Sequence, residues 1–188
     1  MKKLLVLLIV LAVASLGQAA IMDLQISSLN GDPIDPVKDI TIGESDWVNL
    51  DIVYIPDGAG NLQSLDTVVS VDGLGTLDVS ALTWAYNEGF NRTIEYTPGE
   101  SYNISSGSFN GIGPGLIIDH ILVHCDSGDP LNDVLVALAP DTASGGTIYL
   151  TGAPFDGTWG SVVIHQVPEP MTVALLGLGG LALLRRRK

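Results

Sequence analysis

The stretch WVNLDIVYI, Trp47 to Ile55, decides the fold. Val48, Leu50, Ile52 and Tyr54 take every second position, with Trp47, Asn49, Asp51 and Val53 between them. Successive side chains of an extended chain point to opposite faces, so this alternation describes a strand with one buried side. The same chemistry recurs outward in both directions. Asp23 to Leu29 precedes it, and Leu65 to Val71 and Thr76 to Trp84 follow, interrupted by Asp72-Gly73 and Gly75. Arg92 to Thr97, Tyr102 to Phe109, Asp133 to Ala139, Thr147 to Thr151 and Ser161 to Gln166 continue the series. Leu116 to Cys125 is almost uninterruptedly apolar, as expected of a strand in the middle of a two-layer core. Gly, Pro, Asn and Asp separate these runs, and no convincing helix intervenes. About nine strands in this arrangement predict an all-β, antiparallel β-sandwich of the jelly-roll kind.

The chain has 188 residues, 46% of them apolar, and a single cysteine, Cys125. Such a length suits one domain, the apolar content excludes global disorder, and one cysteine excludes a disulfide-stapled scaffold. The formal charge is −13. That sign speaks against nucleic acid as a partner. Between Ile21 and Val167 it is steeper, because 20 acidic residues face two basic ones, Lys38 and Arg92, for a formal −18. Such a domain repels anionic polymers unless divalent cations bridge them, and calcium, which favours oxygen ligands, is the natural one outside a cell.

Both ends depart from this pattern. Residues 1–20 open with Lys2 and Lys3, run through apolar Leu4 to Val13, and end in small residues including Gly17, Ala19 and Ala20. This is the build of a secretory signal peptide, cut after Ala19 or Ala20 by signal peptidase. The other end, residues 167–188, reads Val167-Pro168-Glu169-Pro170, then apolar Met171 to Leu184, then Arg185, Arg186, Arg187 and Lys188. As a helix, residues 171–184 span ~21 Å against a hydrocarbon core of ~30 Å, a short transmembrane segment that suits a transient anchor. The four cations stay cytoplasmic by the positive-inside rule and place residues 21–166, the exported domain, outside.

This three-part tail closely resembles the PEP-CTERM sorting signal of exported bacterial proteins. The resemblance implies an exosortase, a membrane transpeptidase, cutting at or near Pro168-Glu169-Pro170. It makes Arg185 to Lys188 the retention tail. It further implies transient residence in the inner membrane, then the cell envelope, outer surface or medium, commonly alongside extracellular polysaccharide. In the middle domain, GESDWVNLDIVYI (Gly43 to Ile55), LDTVVSVDG (Leu65 to Gly73) and GLIIDHILVHC (Gly115 to Cys125) resemble cohesin and carbohydrate-binding-module sandwiches.

Candidate chemistry in the middle domain is sparse. The loop after Cys125 offers Asp126, Asp129, Asn132 and Asp133 as calcium ligands, and Asn30, Asp32 and Asp35 form a second oxygen-rich group. Neither follows the EF-hand order, and Asp and Asn also dominate ordinary turns. His120 and His124 are four residues apart on a strand, ~13 Å, too far to share one ion. Trp84 and Tyr86 fall on one side of a strand, where aromatic faces can stack on sugar rings. Gly111 to Gly115 (GIGPG) leads into a strand and lacks lysine, so it reads as a turn rather than a phosphate loop. No nucleophile elbow or metal triad is present, so the expectation is a non-enzymatic envelope or matrix protein. Extracellular polysaccharide is its expected ligand, a cohesin-like module binding another envelope protein is the alternative, and a small carboxylate hydrolase is a third reading.

Overall fold

The computed structural model describes residues 19–167 apart from 44–45, 59, 74, 87–88, 98–100, 126–132, 142 and 144. Residues 1–18 of the expected signal peptide, residues 168–188 and the loop carrying Asp126, Asp129 and Asn132 therefore lie outside the described residues.

Fourteen strands alternate through the described residues: β1 (Ile21–Leu29), β2 (Asp32–Val37), β3 (Asp39–Gly43), β4 (Trp47–Ile55), β5 (Leu62–Asp72), β6 (Gly75–Asp78), β7 (Thr83–Trp84), β8 (Gly89–Thr97), β9 (Ser101–Ile112), β10 (Gly115–Cys125), β11 (Val134–Pro140), β12 (Ile148–Tyr149), β13 (Thr158–Trp159) and β14 (Ser161–Val167). They form two sheets. The first runs β13-β1-β4-β10-β6, with β2 added to β1 and β7 to β10. The second runs β3-β14-β11-β5-β9-β8, with β12 added to β5.

The decisive stretch behaves as its alternation requires. Val48, Leu50, Ile52 and Tyr54 of β4 are buried between the sheets. Leu24 and Ile26 of β1 and Ile121 and Val123 of β10 join them, facing Leu65, Val69, Ile104, Val136 and Ile164 of the second sheet. Burying each such side chain stabilises the fold by ~1.5–3 kcal/mol, which is why the apolar positions fix the register. Tyr54 keeps its polar end satisfied, its hydroxyl donating to the Gly60 carbonyl at 2.6 Å.

Three details differ from the sequence reading. There are more strands than nine, because Thr76 to Trp84 splits into β6 and β7 and because β2, β3 and β13 were not anticipated. Pro33 and Pro36 make residues 32–37 read as loop. The chain tolerates them there because β2 pairs with β1 alone, and an edge position leaves the missing N–H groups without consequence. Second, the sandwich is not wholly antiparallel, since β13 runs parallel to β1 and β3 parallel to β14. Third, β10 is bulged: its register against β4 shifts between Leu116 and Ile118 and again between Ile118 and Ile121, and His120 sits at φ 65°. A bulge re-aims the residues it carries, here Asp119 and His120.

Asn30 and Gly31, with φ of 52° and 87°, form the two-residue turn joining β1 to β2. Both positions need positive φ, which Asn-Gly accepts most readily. Asn30 also accepts from Trp47 N at 2.9 Å and donates to Asp46 Oδ1 at 2.6 Å, so this part of the second oxygen-rich group closes a turn.

Candidate functional site

The outer face of the second sheet carries small side chains along β11 and β5. Alternation along β11, whose Val134, Val136 and Leu138 are buried, turns Leu135, Ala137 and Ala139 outward. The register places Ala137 opposite Ser70 and Ala139 opposite Val68 of β5. Beyond them, Val68 faces Asn103 and Asp66 faces Ser105 of β9, and Glu95 and Thr93 of β8 follow at the edge. Leu135 is 40% exposed, an apolar side chain with Val163 of β14 on one side and Asp72 of β5 on the other. Asp66 is different, at 6% exposure. Burial raises its carboxyl above the usual carboxylate range and the neighbouring Asp141 adds to the rise, while the hydroxyl of Ser105 donates to it and opposes both. Its backbone is pinned by Thr147, whose Oγ1 accepts from Asp66 N at 2.9 Å and donates to Asp66 O at 3.0 Å.

At the opposite border of this face, His165 of β14 bridges two acids. Nδ1 lies 2.6 Å from Asp133 and Nε2 3.1 Å from Asp39. Those hydrogen bonds, Asp133 first, raise the histidine above its ordinary value. Asp133, one of the four residues read as calcium ligands, is thus engaged by an imidazole; the other three lie outside the described residues.

Trp84 and Tyr86 do come together, but perpendicular to one another, with centroids 5.8 Å apart and planes at 85°. The guanidinium of Arg92 sits 5.3 Å from one ring centre and 5.1 Å from the other and donates to the Tyr86 carbonyl. Both rings pack against the core, and burial pushes the Tyr86 hydroxyl up. Two perpendicular rings beneath one cation form a closed cluster; a sugar platform presents a free π-face.

A groove of about 400 Å³ crosses the outer face of the first sheet, lined among others by Trp47, Asn49, Asp51, Asp119, His120 and Leu122. Asp51 is pushed up to about 6, by burial first and then by its hydrogen bond to Asp119. Asn49 Nδ2 links the two carboxyls, 3.4 Å from Asp51 Oδ1 and 3.1 Å from Asp119 Oδ1. Among the described residues there is no group of three or more His, Cys, Asp or Glu placed to hold a metal ion.

Sequence reasoning missed Asp51, Asp119 and Asp66 as a set. The signal for the groove was present: Trp47, Asn49 and Asp51 are the outward positions of the strand whose inward positions were recognised, and Asp119-His120 is the polar break in an apolar run. Twenty acidic residues hid the pair, because any two of them form a candidate.

Comparison with known proteins bears on the two parts of the chain separately. Residues 166–188 match the family model of the PEP-CTERM protein-sorting motif. No curated protein matches the chain. Among solved structures, CaCohA2 of Clostridium acetobutylicum is similar at a TM-score of 0.56 and 7% identity, covering 80% of this chain and 92% of that one. A type III cohesin module of the cellulosomal ScaE cell-surface anchoring scaffoldin of Ruminococcus flavefaciens gives 0.56 at 13% identity, covering 82% and 91%. The third cohesin of ScaC of Acetivibrio cellulolyticus, in complex with the ScaB dockerin, gives 0.50 at 12%, covering 79% and 99%. The fold is that of cohesin modules.

Proposed function

We propose that this is an exported, non-enzymatic envelope protein, sorted through its C-terminal signal, whose sandwich binds another protein. The observation that carries the binding role is the outer face of the second sheet, where Leu135, Ala137, Ala139 and Val68 form a low apolar centre. Glu95, His165, Asp39 and Asp133 surround it with charge. An apolar centre with a polar rim suits a protein surface better than a carbohydrate, which asks for open aromatic platforms. The cohesin-like fold supports this reading, since a similar module is solved with a protein bound.

Export and sorting rest on the two ends. Signal peptidase would cut after Ala19: Ala20 is 1% exposed and its carbonyl accepts from Thr158 N at 2.9 Å, so the folded domain retains it. An exosortase would then cut within Val167-Pro168-Glu169-Pro170, just past the end of β14, with residues 171–184 as temporary anchor and Arg185 to Lys188 as its cytoplasmic stop. The short apolar segment supports a temporary anchor, because mismatch with the bilayer disfavours permanent residence. Calcium at Asp126, Asp129, Asn132 and Asp133 belongs to a second reading, in which cations bridge the acidic domain to extracellular polysaccharide; the −18 charge supports it.

The test is a charge placed on this face. Ala137→Arg together with Ser70→Arg should abolish co-purification of envelope proteins with the exported domain while its melting temperature holds. Unchanged recovery of those proteins contradicts the binding surface, and sedimentation with polysaccharide that EDTA reverses favours the second reading.

A further inference from the structure

The groove on the first sheet belongs to the face opposite the one proposed above and stands independently of that reading. Its floor contains more hydrogen-bond acceptors than donors. Asn49 Nδ2 has two protons but three oxygens around it: Asp119 Oδ1 at 3.1 Å, Ser27 Oγ at 3.2 Å and Asp51 Oδ1 at 3.4 Å. Asn49 itself is 5% exposed, and its Oδ1 is buried with no hydrogen-bond partner. The Ser27 hydroxyl donates to the Asn49 main-chain carbonyl at 3.4 Å, and the two carboxyls still offer more lone pairs than the donors around them fill. His120 gives one, its Nδ1 lying 2.9 Å from Asp119 Oδ2. The wall above is apolar and aromatic, made by Trp47 and Leu122, which also border a second hollow of about 410 Å³ reaching Thr76 and Asp78.

We propose that this groove receives an arginine side chain of a partner protein, with the guanidinium against Asp51, Asp119 and Asn49 and the stem along Trp47 and Leu122. A guanidinium has five N–H donors and no acceptor, which matches an excess of acceptors, and its plane stacks on an indole. Charge complementarity points the same way, since the stretch from Ile21 to Val167 carries a formal −18. Two neighbouring hollows that share Trp47 and Leu122 in their linings suit an extended segment, so the arginine belongs to a chain rather than to a free amino acid. A divalent ion is the poorer fit, because among the described residues no group of three or more His, Cys, Asp or Glu is placed to hold one. A bound guanidinium would also relieve the raised carboxyl of Asp51, coupling binding to proton release. Other titratable groups on or beside this face among the described residues include the Asp23–Lys38 pair, Asp32 and Asp35 on β2, Asp46 before β4, His120 and His124 on β10 and Asp78 on β6.

The experiment is a titration of the full chain in detergent, at pH 7.5, with a capped Gly-Ala-Arg-Ala-Gly peptide, followed by NMR of the Asn49 side-chain amide. The peptide containing citrulline, of the same shape but neutral, is the control. Saturable shifts with Kd on the order of 1 mM or tighter, at least tenfold weaker for citrulline, are expected. Asp51→Asn and Asp119→Asn should each weaken binding about tenfold, the loss of one charged hydrogen-bond partner, whereas Asp72→Asn on the second sheet should not. Equal response to both peptides, wild-type binding by Asp51→Asn, or shifts with calcium and none with the arginine peptide would each overturn the assignment.

Discussion

Asp51 carries the clearest consequence at the residue scale. Its carboxyl is pushed up to about 6 in the folded chain from an ordinary 3.8, so the folded state holds that proton more tightly than the unfolded state does. The sign follows from linkage: its contribution is most favourable below about 3.8 and is lost as pH rises through about 6. Half-burial and solvent screening reduce the full linkage value to about 1 kcal/mol. Asp51→Asn should therefore be about 1 kcal/mol more stable than the wild type in urea unfolding at pH 7.5, with the gap closing by pH 4. A gap independent of pH would show that burial does not raise the Asp51 carboxyl. His165 behaves in the same sense. Its raised value, set by Asp133 and Asp39, means that its bridge is intact at low pH and released as pH climbs through the folded value. In an NMR titration, Asp39→Asn should move the His165 midpoint down toward that of a free histidine.

At the scale of the element, β4 and β13 show how unevenly the sequence declares itself. The alternation of β4 alone specified which side chains enter the core, and Leu50→Ala should cost about 3 kcal/mol in chemical unfolding, as full burial of a leucine implies. β13 is two residues long and was illegible, because its stability comes from where the backbone lies rather than from its side-chain pattern. Thr158 N donates to Ala20 O at 2.9 Å and Gly160 N to Met22 O at 2.8 Å, and a Cβ added at Gly157 would stand 2.1 Å from Ala20 O. Only a residue without a side chain permits that approach. Gly157→Ala should displace β13 from β1 and lower stability by about 2 kcal/mol, seen as lost amide protection at Thr158. Likewise β2 was hidden by its prolines, and the bulge of β10 by the fact that a periodic run does not mark where its own register slips. The fold class was legible because burial writes a period into the sequence; the candidate sites were not, because Asp51, Asp119 and Asp66 meet their partners across strands.

For the whole molecule, two kinds of information lie side by side. Residues 166–188 match a sorting motif, a linear code that needs no folding to be read, and the middle is a cohesin-like sandwich whose core closes within residues 20–166. Replacing Pro168-Glu169-Pro170 by alanines should leave the sandwich melting unchanged while the chain accumulates uncut in the membrane fraction. Deleting Arg185 to Lys188 should likewise abolish sorting. The most direct test of the account is the intact mass of the protein recovered from its native envelope. The account predicts a chain that begins at Ala20 and ends within Val167 to Pro170, whereas a mass that still includes Met171 to Lys188 would contradict it.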